Sequence, residues 1–206
     1  KPNKGRKGRD SFRMAVWMNK TPKAKVPVPF RQSLNLLHPY NASLVTCKDK
    51  NGKINVMAAA WIIPTSVKPP LIAVSIRPER YSYNLIKKSK EFVVNIPTFR
   101  MAQKVLLCGR RSGKNYDKFK DASLSTQKAQ KVDAPTIKEC IAHIECMLVK
   151  TVKTGDHTLF IGEVVAAYAL DGYFEQVYNI AKFRPCLHLG RDFFTTCITK
   201  RIEPKI

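Results

Sequence analysis

Two neighbouring segments of the sequence combine small, aromatic and positively charged residues in a pattern that suits a planar, anionic ligand. The first contains Ala58–Ala60 and Trp61, where short side chains leave the backbone open to a flat molecule and the indole offers an aromatic wall. The second contains Arg77, Arg80 and Ser82, which bring positive charge and a hydroxyl to the start of a predicted helix. The first N–H groups of a helix have no partner within it and bind phosphates. The pattern therefore predicts a ligand site built on two strands and a helix start.

Other groups of residues could also do chemistry, and their spacing decides what kind. Gly109–Lys114 has one residue too few between its glycines for a nucleotide triphosphate loop, and Asn115 stands where a magnesium-binding Ser or Thr is needed. The histidines and cysteines show no metal-ligand spacing, so the sequence predicts no metal site. His157, beside Asp156 at a predicted hairpin mouth, could face a ligand, whereas Lys118 taken alone is typical of a solvated charge.

The elements that must position these residues are mostly strands. Apolar or alternating runs bounded by Gly, Asn and Pro predict strands, and two segments with apolar residues at helical spacing predict helices. The predicted strands are 42–47, 54–62, 71–76, 91–96, 140–154 and 157–170. One predicted helix is capped by Ser82 and runs to Lys90. The other runs from Thr98 to Leu107. Many strands with only two helices indicate a mainly β protein, a small β-barrel with flanking helices.

Length and composition favour one folded domain with a charged appendage. The chain has 206 residues, 44% of them hydrophobic, and a formal net charge of +22. Residues 1–31 hold ten Lys and Arg but a single acid, Asp10, and three prolines fall within residues 20–30. We therefore expect a basic, mobile arm at 1–30 and a globular domain at 31–206. The charge is explained either by a solvated basic surface or by an anionic partner such as nucleic acid.

Cysteine usage and hydropathy predict a cytoplasmic protein. The six cysteines form no CxxC pair, which is typical of free thiols in a reducing compartment. The longest apolar run, 56–63, ends at Pro64 and is far shorter than the roughly 20 residues of a membrane span. No apolar core follows the basic start, as it would in a secretion signal. We therefore expect neither secretion nor membrane association.

Five motifs taken together resemble the flavin reductase-like FMN-binding split-barrel family, and flavoredoxins in particular. They lie in the family's order between Tyr40 and Val165. The motifs are Gly52–Met57 with Trp61, Pro69–Pro70 with the strand to Arg77, Arg80–Tyr83 followed by Glu91–Pro97, Ser112–Lys114 with Asp117–Phe119, and Gly155–Val164. The C-terminal stretch Pro185–Gly190 matches the family only loosely.

The resemblance implies a split β-barrel homodimer with one FMN per subunit near the subunit interface. Arg77, Arg80 and Ser82 would hold the phosphate, in agreement with the helix start inferred above. Trp61 would lie by the isoalloxazine ring, and the backbone of Asn55–Ala60 would meet its polar edge. The full set of expected cofactor-binding residues is Asn55, Met57, Ala58, Ala59, Ala60, Trp61, Ser75, Ile76, Arg77, Arg80, Tyr81, Ser82, Lys118 and His157.

The resemblance also assigns Lys118 and His157 the catalytic role, as a cation or donor that approaches the ring and favours its reduced, negatively charged form. The implied function is that of an FMN-dependent NAD(P)H oxidoreductase, either a flavin reductase or a flavoredoxin-type electron transfer protein. NADH or NADPH is the expected electron donor, and a redox protein is the other expected partner. The alternative is a non-enzymatic module that binds nucleic acid or another anion through the basic arm.

Overall fold

The structure, a computed structural model, describes residues 24–198. Two units divide these residues between Leu36 and Leu37. In the first unit, residues 24–29 have no regular structure, and a 3-10 helix follows at Phe30–Leu37. The expected arm at 1–30 falls mostly outside the described residues, so both the arm and its boundary stay predictions.

The second unit is built mainly of strands. The strands are β1 (Tyr40–Asn41), β2 (Ser43–Lys48), β3 (Ile54–Ala59), β4 (Ile62–Ser66), β5 (Leu71–Ile76), β6 (Glu91–Ile96), β7 (Thr126–Gln127), β8 (Thr136–Ile137), β9 (Ala142–Thr154), β10 (His157–Ala169), β11 (Leu187–Gly190) and β12 (Phe193–Thr195). The α-helices described within it are α1 (Tyr81–Ser89), α2 (Ala102–Arg110) and α3 (Lys118–Asp121), and a 3-10 turn at Phe99–Met101 precedes α2. Seven strands form one antiparallel sheet in the order β3-β2-β6-β9-β10-β5-β4, while β1, β11 and β12 form a second sheet and β7 and β8 a third.

The large sheet curls because its two edge strands are neighbours in the chain. β3 ends at Ala59 and β4 begins at Ile62, and three residue steps can span at most about 11 Å. Seven strands lying flat would hold their edges about 29 Å apart, at about 4.8 Å per strand. The two edges therefore approach each other at Ala60 and Trp61. The predicted mainly β barrel with flanking helices is confirmed.

Alternation along β2 and β3 sends side chains into two apolar cores, one on each face of the strands. Val45 and Met57 join the interior of the barrel, together with residues of α1. Leu44 and Val56 join the other core, where they lie with Val105 of α2. Because neighbouring residues of a strand point to opposite faces, α1 and α2 cover the same pair of strands from opposite sides.

Two predicted elements have different bounds in the structure. The expected strand at 54–62 is interrupted, because Trp61 lies in the link between β3 and β4. The helix expected at 98–107 continues as α2 to Arg110 and includes Gly109. At Gly109 the helix packs closely against β3. A residue without a side chain is therefore favoured at this position.

The predicted capping role of Ser82 is wrong. The helix α1 begins at Tyr81 with Arg80 at the capping position, and Ser82 lies buried in the first turn. Its hydroxyl accepts a hydrogen bond from Asn55 Nδ2 at 2.7 Å. The hydroxyl is therefore bonded to a side chain of β3 and not to the backbone of its own helix.

The tail after β10, which the sequence left hardest to assign, forms a small sheet. β11 pairs with β1 through His188 and Tyr40, and β12 pairs with β11. This pairing carries His188 back to the residues around β3.

The six cysteines are free thiols, and all except Cys197 are buried, as the sequence predicted. None of the helices within residues 24–198 is long and apolar enough to cross a membrane. The cytoplasmic location stays a prediction.

Candidate functional site

A cavity of about 310 Å³ opens where the ends of β3 and β5 meet the start of α1 and the end of α2. All the residues expected to bind the cofactor line this cavity: Asn55, Met57, Ala58, Ala59, Ala60, Trp61, Ser75, Ile76, Arg77, Arg80, Tyr81, Ser82, Lys118 and His157. The fold thus brings together residues from four separate segments of the chain, 55–61, 75–82, 118 and 157. Their roles in binding stay predictions.

One wall of the cavity is made of small residues. Ala58, Ala59 and Ala60 lie partly buried at the end of β3. A Cβ placed on Gly109 of α2 would lie 3.3 Å from the Ala58 Cβ, a tight contact that leaves little room for a larger residue. This wall can accept a planar molecule because no long side chain projects from it.

The indole of Trp61 and the imidazole of His157 stack beside this wall. Their ring centroids are 4.8 Å apart at an interplanar angle of 34°. Trp61 keeps 40% of its surface exposed, so it is not a core residue. His157 Nδ1 donates a hydrogen bond to the Asp156 carboxylate at 2.7 Å, since a carboxylate can only accept. This bond orients the imidazole and leaves its Nε2 for another partner.

Arg77, expected to bind phosphate, forms an ion pair with Asp156. The guanidinium lies 2.9 Å from the carboxylate, and both side chains are largely exposed. The hydrogen bond from His157, helped by the positive charge of Arg77, holds the pKa of Asp156 below its usual value. Arg77 therefore belongs to the group of residues around His157.

The start of α1 forms a positively charged end of the cavity. Within the described residues, no side chain caps this helix and its first turn contains no acidic residue. Arg80 is exposed at the capping position, and no carboxylate within residues 24–198 forms an ion pair with it. The first N–H groups of α1 and the Arg80 guanidinium together suit a phosphate.

Ser82 and Asn55 form a buried pair behind this helix start. Asn55 Nδ2 donates to Ser82 Oγ, which leaves the hydroxyl hydrogen of Ser82 available to an acceptor. A Cβ placed on Gly113 would overlap Asn55 Oδ1, so the loop after α2 packs directly on the pair. The geometry of this end therefore depends on three segments fitting together.

Lys118 is buried at the start of α3, with only 4% of its surface exposed. Its Nζ donates a hydrogen bond to the Cys108 carbonyl in α2 at 3.1 Å. Burial lowers the pKa of Lys118, the thiols of Cys108 and Cys47 raise it, and the positive charge of Arg80 lowers it further. Lys118 thus lies on the side of the cavity formed by α1 and α2, whereas His157 lies on the side of β10.

Several residues of the cavity were not expected from the sequence. Residues 108–113, Glu79 and His188 also line it. The glycine spacing of Gly109–Lys114 excludes a triphosphate loop but says nothing about the two arginines within it. A Gly- and Arg-rich run at the end of a predicted helix is the sequence signal that could have identified these two arginines as site residues. No comparable signal exists for His188, which only the pairing of β1 with β11 brings to the site.

The two arginines after Gly109 are held by acids from other segments. Arg110 forms an ion pair with Asp192, and Arg111 forms one with Asp121 at 2.6 Å.

No group of three or more His, Cys, Asp or Glu in the described part of the chain could hold a metal ion. The wall of small residues, the stacked rings and the cationic helix start suit a planar molecule with an anionic group, and these residues therefore fit FMN.

Comparison with known proteins identifies the family. A family model described as the flavin reductase like domain matches residues 36–196. An uncharacterized protein from Archaeoglobus fulgidus is 39% identical over 172 residues, which cover 83% of this chain and 96% of the relative.

Two solved structures resemble the fold closely. The flavoredoxin from Methanosarcina acetivorans has a TM-score of 0.77 at 28% identity, covering 87% of this chain and 95% of its own. An FMN-binding protein from Thermus thermophilus, with bound 1-cyclohex-2-enone, has a TM-score of 0.74 at 25% identity, covering 90% and 99%. The expected split-barrel fold is confirmed. The chain belongs to the flavin reductase like family, as its sequence motifs predicted.

Proposed function

We propose that the protein is an FMN-dependent oxidoreductase that accepts electrons from NADH or NADPH, either as a flavin reductase or as a flavoredoxin-type electron transfer protein. One observation supports this most directly. In one cavity, the wall of small residues at the end of β3 and Trp61 adjoin the uncapped, cationic start of α1. In a chain of the flavin reductase like family, such a cavity has the shape and charge that FMN requires.

Each part of the cavity has a separate task in this proposal. The first turn of α1 and Arg80 bind the phosphate, and Ala58–Ala60 and Trp61 enclose the ring. When bound, FMN supplies the hydride and electron transfer chemistry. The terminal phosphate of FMN suits this helix start.

Lys118 and His157 adjust the reactivity of the site. A positive charge near the ring favours its reduced form, because electrostatic interactions are stronger in a buried site than in water. Lys118 is positioned by its bond to Cys108, and His157 by its bond to Asp156. Neither residue is required to transfer a proton in this proposal.

We also propose that the protein is a homodimer. Met147 and Val149 lie near each other in β9 and are 42% and 52% exposed. Apolar side chains that stay exposed in one subunit are suited to contact with a second one. Light scattering should give twice the subunit mass of 23.4 kDa, and a mass of one subunit would contradict the dimer.

The proposed function is tested by visible spectroscopy. Purified protein mixed with FMN and separated from free flavin should be yellow, and NADH or NADPH added anaerobically should bleach it. Steady turnover of added FMN would indicate a reductase, whereas bound flavin reduced only once would indicate a carrier. Protein that neither retains flavin nor reduces added FMN with NADH or NADPH would contradict the proposal.

The non-enzymatic alternative depends on the basic arm, most of which lies outside the described residues. The comparisons do not favour it. A salt titration tests it, because binding to nucleic acid through phosphate contacts weakens steeply as salt increases.

A further inference from the structure

A second cavity of about 340 Å³ adjoins the first and reaches beyond the residues assigned to FMN. The two cavities share Ala58, Ala59, Ala60, Arg80, Gly109, Arg110 and His188. The second one extends to Ala42, Val105, Leu106, Arg191 and Phe194, none of which lines the first. Its volume lies at the small end of the range for ligand sites, about 300–1,000 Å³.

One side of the second cavity is apolar. Val105 and Leu106 come from α2, and Ala42 lies just before β2. Phe194 of β12 packs beside His188, with ring centroids 5.4 Å apart. Leu106 and Phe194, which are partly exposed, offer aliphatic and aromatic surface to the body of a ring compound.

The rest of the second cavity is positively charged. Its lining includes Arg80, Arg110 and Arg191 but no acidic residue. Arg110 is paired with Asp192, whereas no carboxylate within residues 24–198 pairs with Arg80 or Arg191. Arginine binds carboxylates with two parallel hydrogen bonds, so these two guanidinium groups suit an organic acid.

We propose that the second cavity binds a small aromatic carboxylate. The ring would lie against Leu106 and Phe194, and the carboxylate would bind Arg191, which does not line the first cavity. A neutral aromatic compound would not use the arginines, and an inorganic anion would not use the apolar side. Such a ligand would lie beside the FMN site. This position next to FMN rests on the proposed function, whereas the binding of the aromatic carboxylate does not.

Isothermal titration of the full chain with benzoate tests the proposal, both without flavin and with FMN added. Benzoate should bind at least tenfold more tightly than benzamide or inorganic phosphate. Arg191→Gln should weaken benzoate binding about tenfold, and Arg191→Lys should restore part of it. Leu106→Trp, which fills the cavity from α2, should abolish binding.

The controls separate this site from the first cavity and from general loss of folding. Arg100→Gln changes an exposed arginine outside both cavities and should leave benzoate binding unchanged. Circular dichroism melting should show that each variant is folded. Equal benzoate affinity in wild type, Arg191→Gln and Leu106→Trp would overturn the proposal, as would phosphate or benzamide binding as tightly as benzoate. Benzoate binding by a chain that neither retains nor reduces FMN would support this site and contradict only the proposed function.

Discussion

At the scale of single residues, the positively charged end of the cavity combines an exposed charge with a buried hydrogen bond. Arg80 offers a guanidinium that no described carboxylate pairs with, and Ser82 offers a hydroxyl that already accepts from Asn55. Substituting each residue should therefore have a different physical effect.

Arg80→Ala should weaken FMN binding by about one to two decades, because a charge-assisted hydrogen bond contributes about 1.5–3 kcal/mol. Ser82→Ala should also lower the free energy of unfolding by about 1–3 kcal/mol, since Asn55 Nδ2 would be left buried without its partner. Fluorescence titration with FMN and urea unfolding measure the two effects. Arg100→Ala is the control, and undiminished affinity in the Arg80, Ser82 double variant would place the phosphate elsewhere.

Lys118→Met should lower the midpoint potential of bound FMN by about 20–45 mV, which corresponds to roughly 1–2 kcal/mol for a two-electron couple. His157→Gln should shift the potential in the same direction, and by less than Lys118→Met if the imidazole is neutral. FMN affinity should change less than about tenfold in both. Spectroelectrochemical titration measures the potential. An unmoved potential, or a loss of FMN, would show that the residue does not adjust the ring.

At the scale of elements, two acids fasten the segment between β7 and β9 to the large sheet. Glu91 of β6 accepts hydrogen bonds from the backbone N–H groups of residues 133–134. Glu145 of β9 does the same for residues 130–131, at 2.7 and 2.6 Å. These carboxylates satisfy backbone donors that have no strand to pair with, so they take the place of a sheet ladder.

Glu145 should make the protein less stable in acid. It is fully buried, and although burial raises its pKa, the bonds from the backbone and from Tyr168 outweigh this and hold the pKa of Glu145 below its ordinary value. A group whose pKa is lower in the folded state stabilises the fold above its unfolded-state pKa, and this contribution is lost as the pH falls through the folded-state pKa. The stability of the wild type should therefore drop as the pH falls below about 4.

Glu145→Gln tests this assignment. The variant should lose about 1.5–3 kcal/mol of unfolding free energy at pH 7, because the amide cannot replace a carboxylate at all of these donors. It should also show a shallower loss of stability between neutral and acid pH. Urea unfolding as a function of pH measures both effects, with exposed Glu175→Gln as the control. Parallel pH profiles for wild type and Glu145→Gln would contradict the role given to the carboxylate.

At the scale of the whole molecule, the first 31 residues carry a large part of the net charge of +22 but none of the residues that line the cavity. Removing residues 1–30 should leave the flavin spectrum unchanged, because every residue that lines the cavity lies between Asn55 and His188. Absorbance spectra and light scattering of the truncated chain measure this. A colourless or aggregated product would mean that the apolar residues of 12–18 take part in the core or in the dimer.

Local sequence determined the strands that carry the site. The predicted bounds 71–76 and 91–96 match β5 and β6, because both are short apolar runs and the protein buries them on both faces. The tight turn at Asn51–Gly52 also follows from local chemistry. The motifs on these elements were sufficient to predict the family and the split barrel.

Tertiary structure alone decided what the side chains of the cavity bond to and which further residues reach it. Ser82 was predicted as a helix cap, but its partner Asn55 lies 27 positions away and on another element. His188 reaches the cavity through a strand pairing with Tyr40 that no local pattern indicates. Local preference and periodicity report a residue's immediate neighbours in the chain, whereas hydrogen bonds and cavities depend on residues that meet only when distant segments pack together.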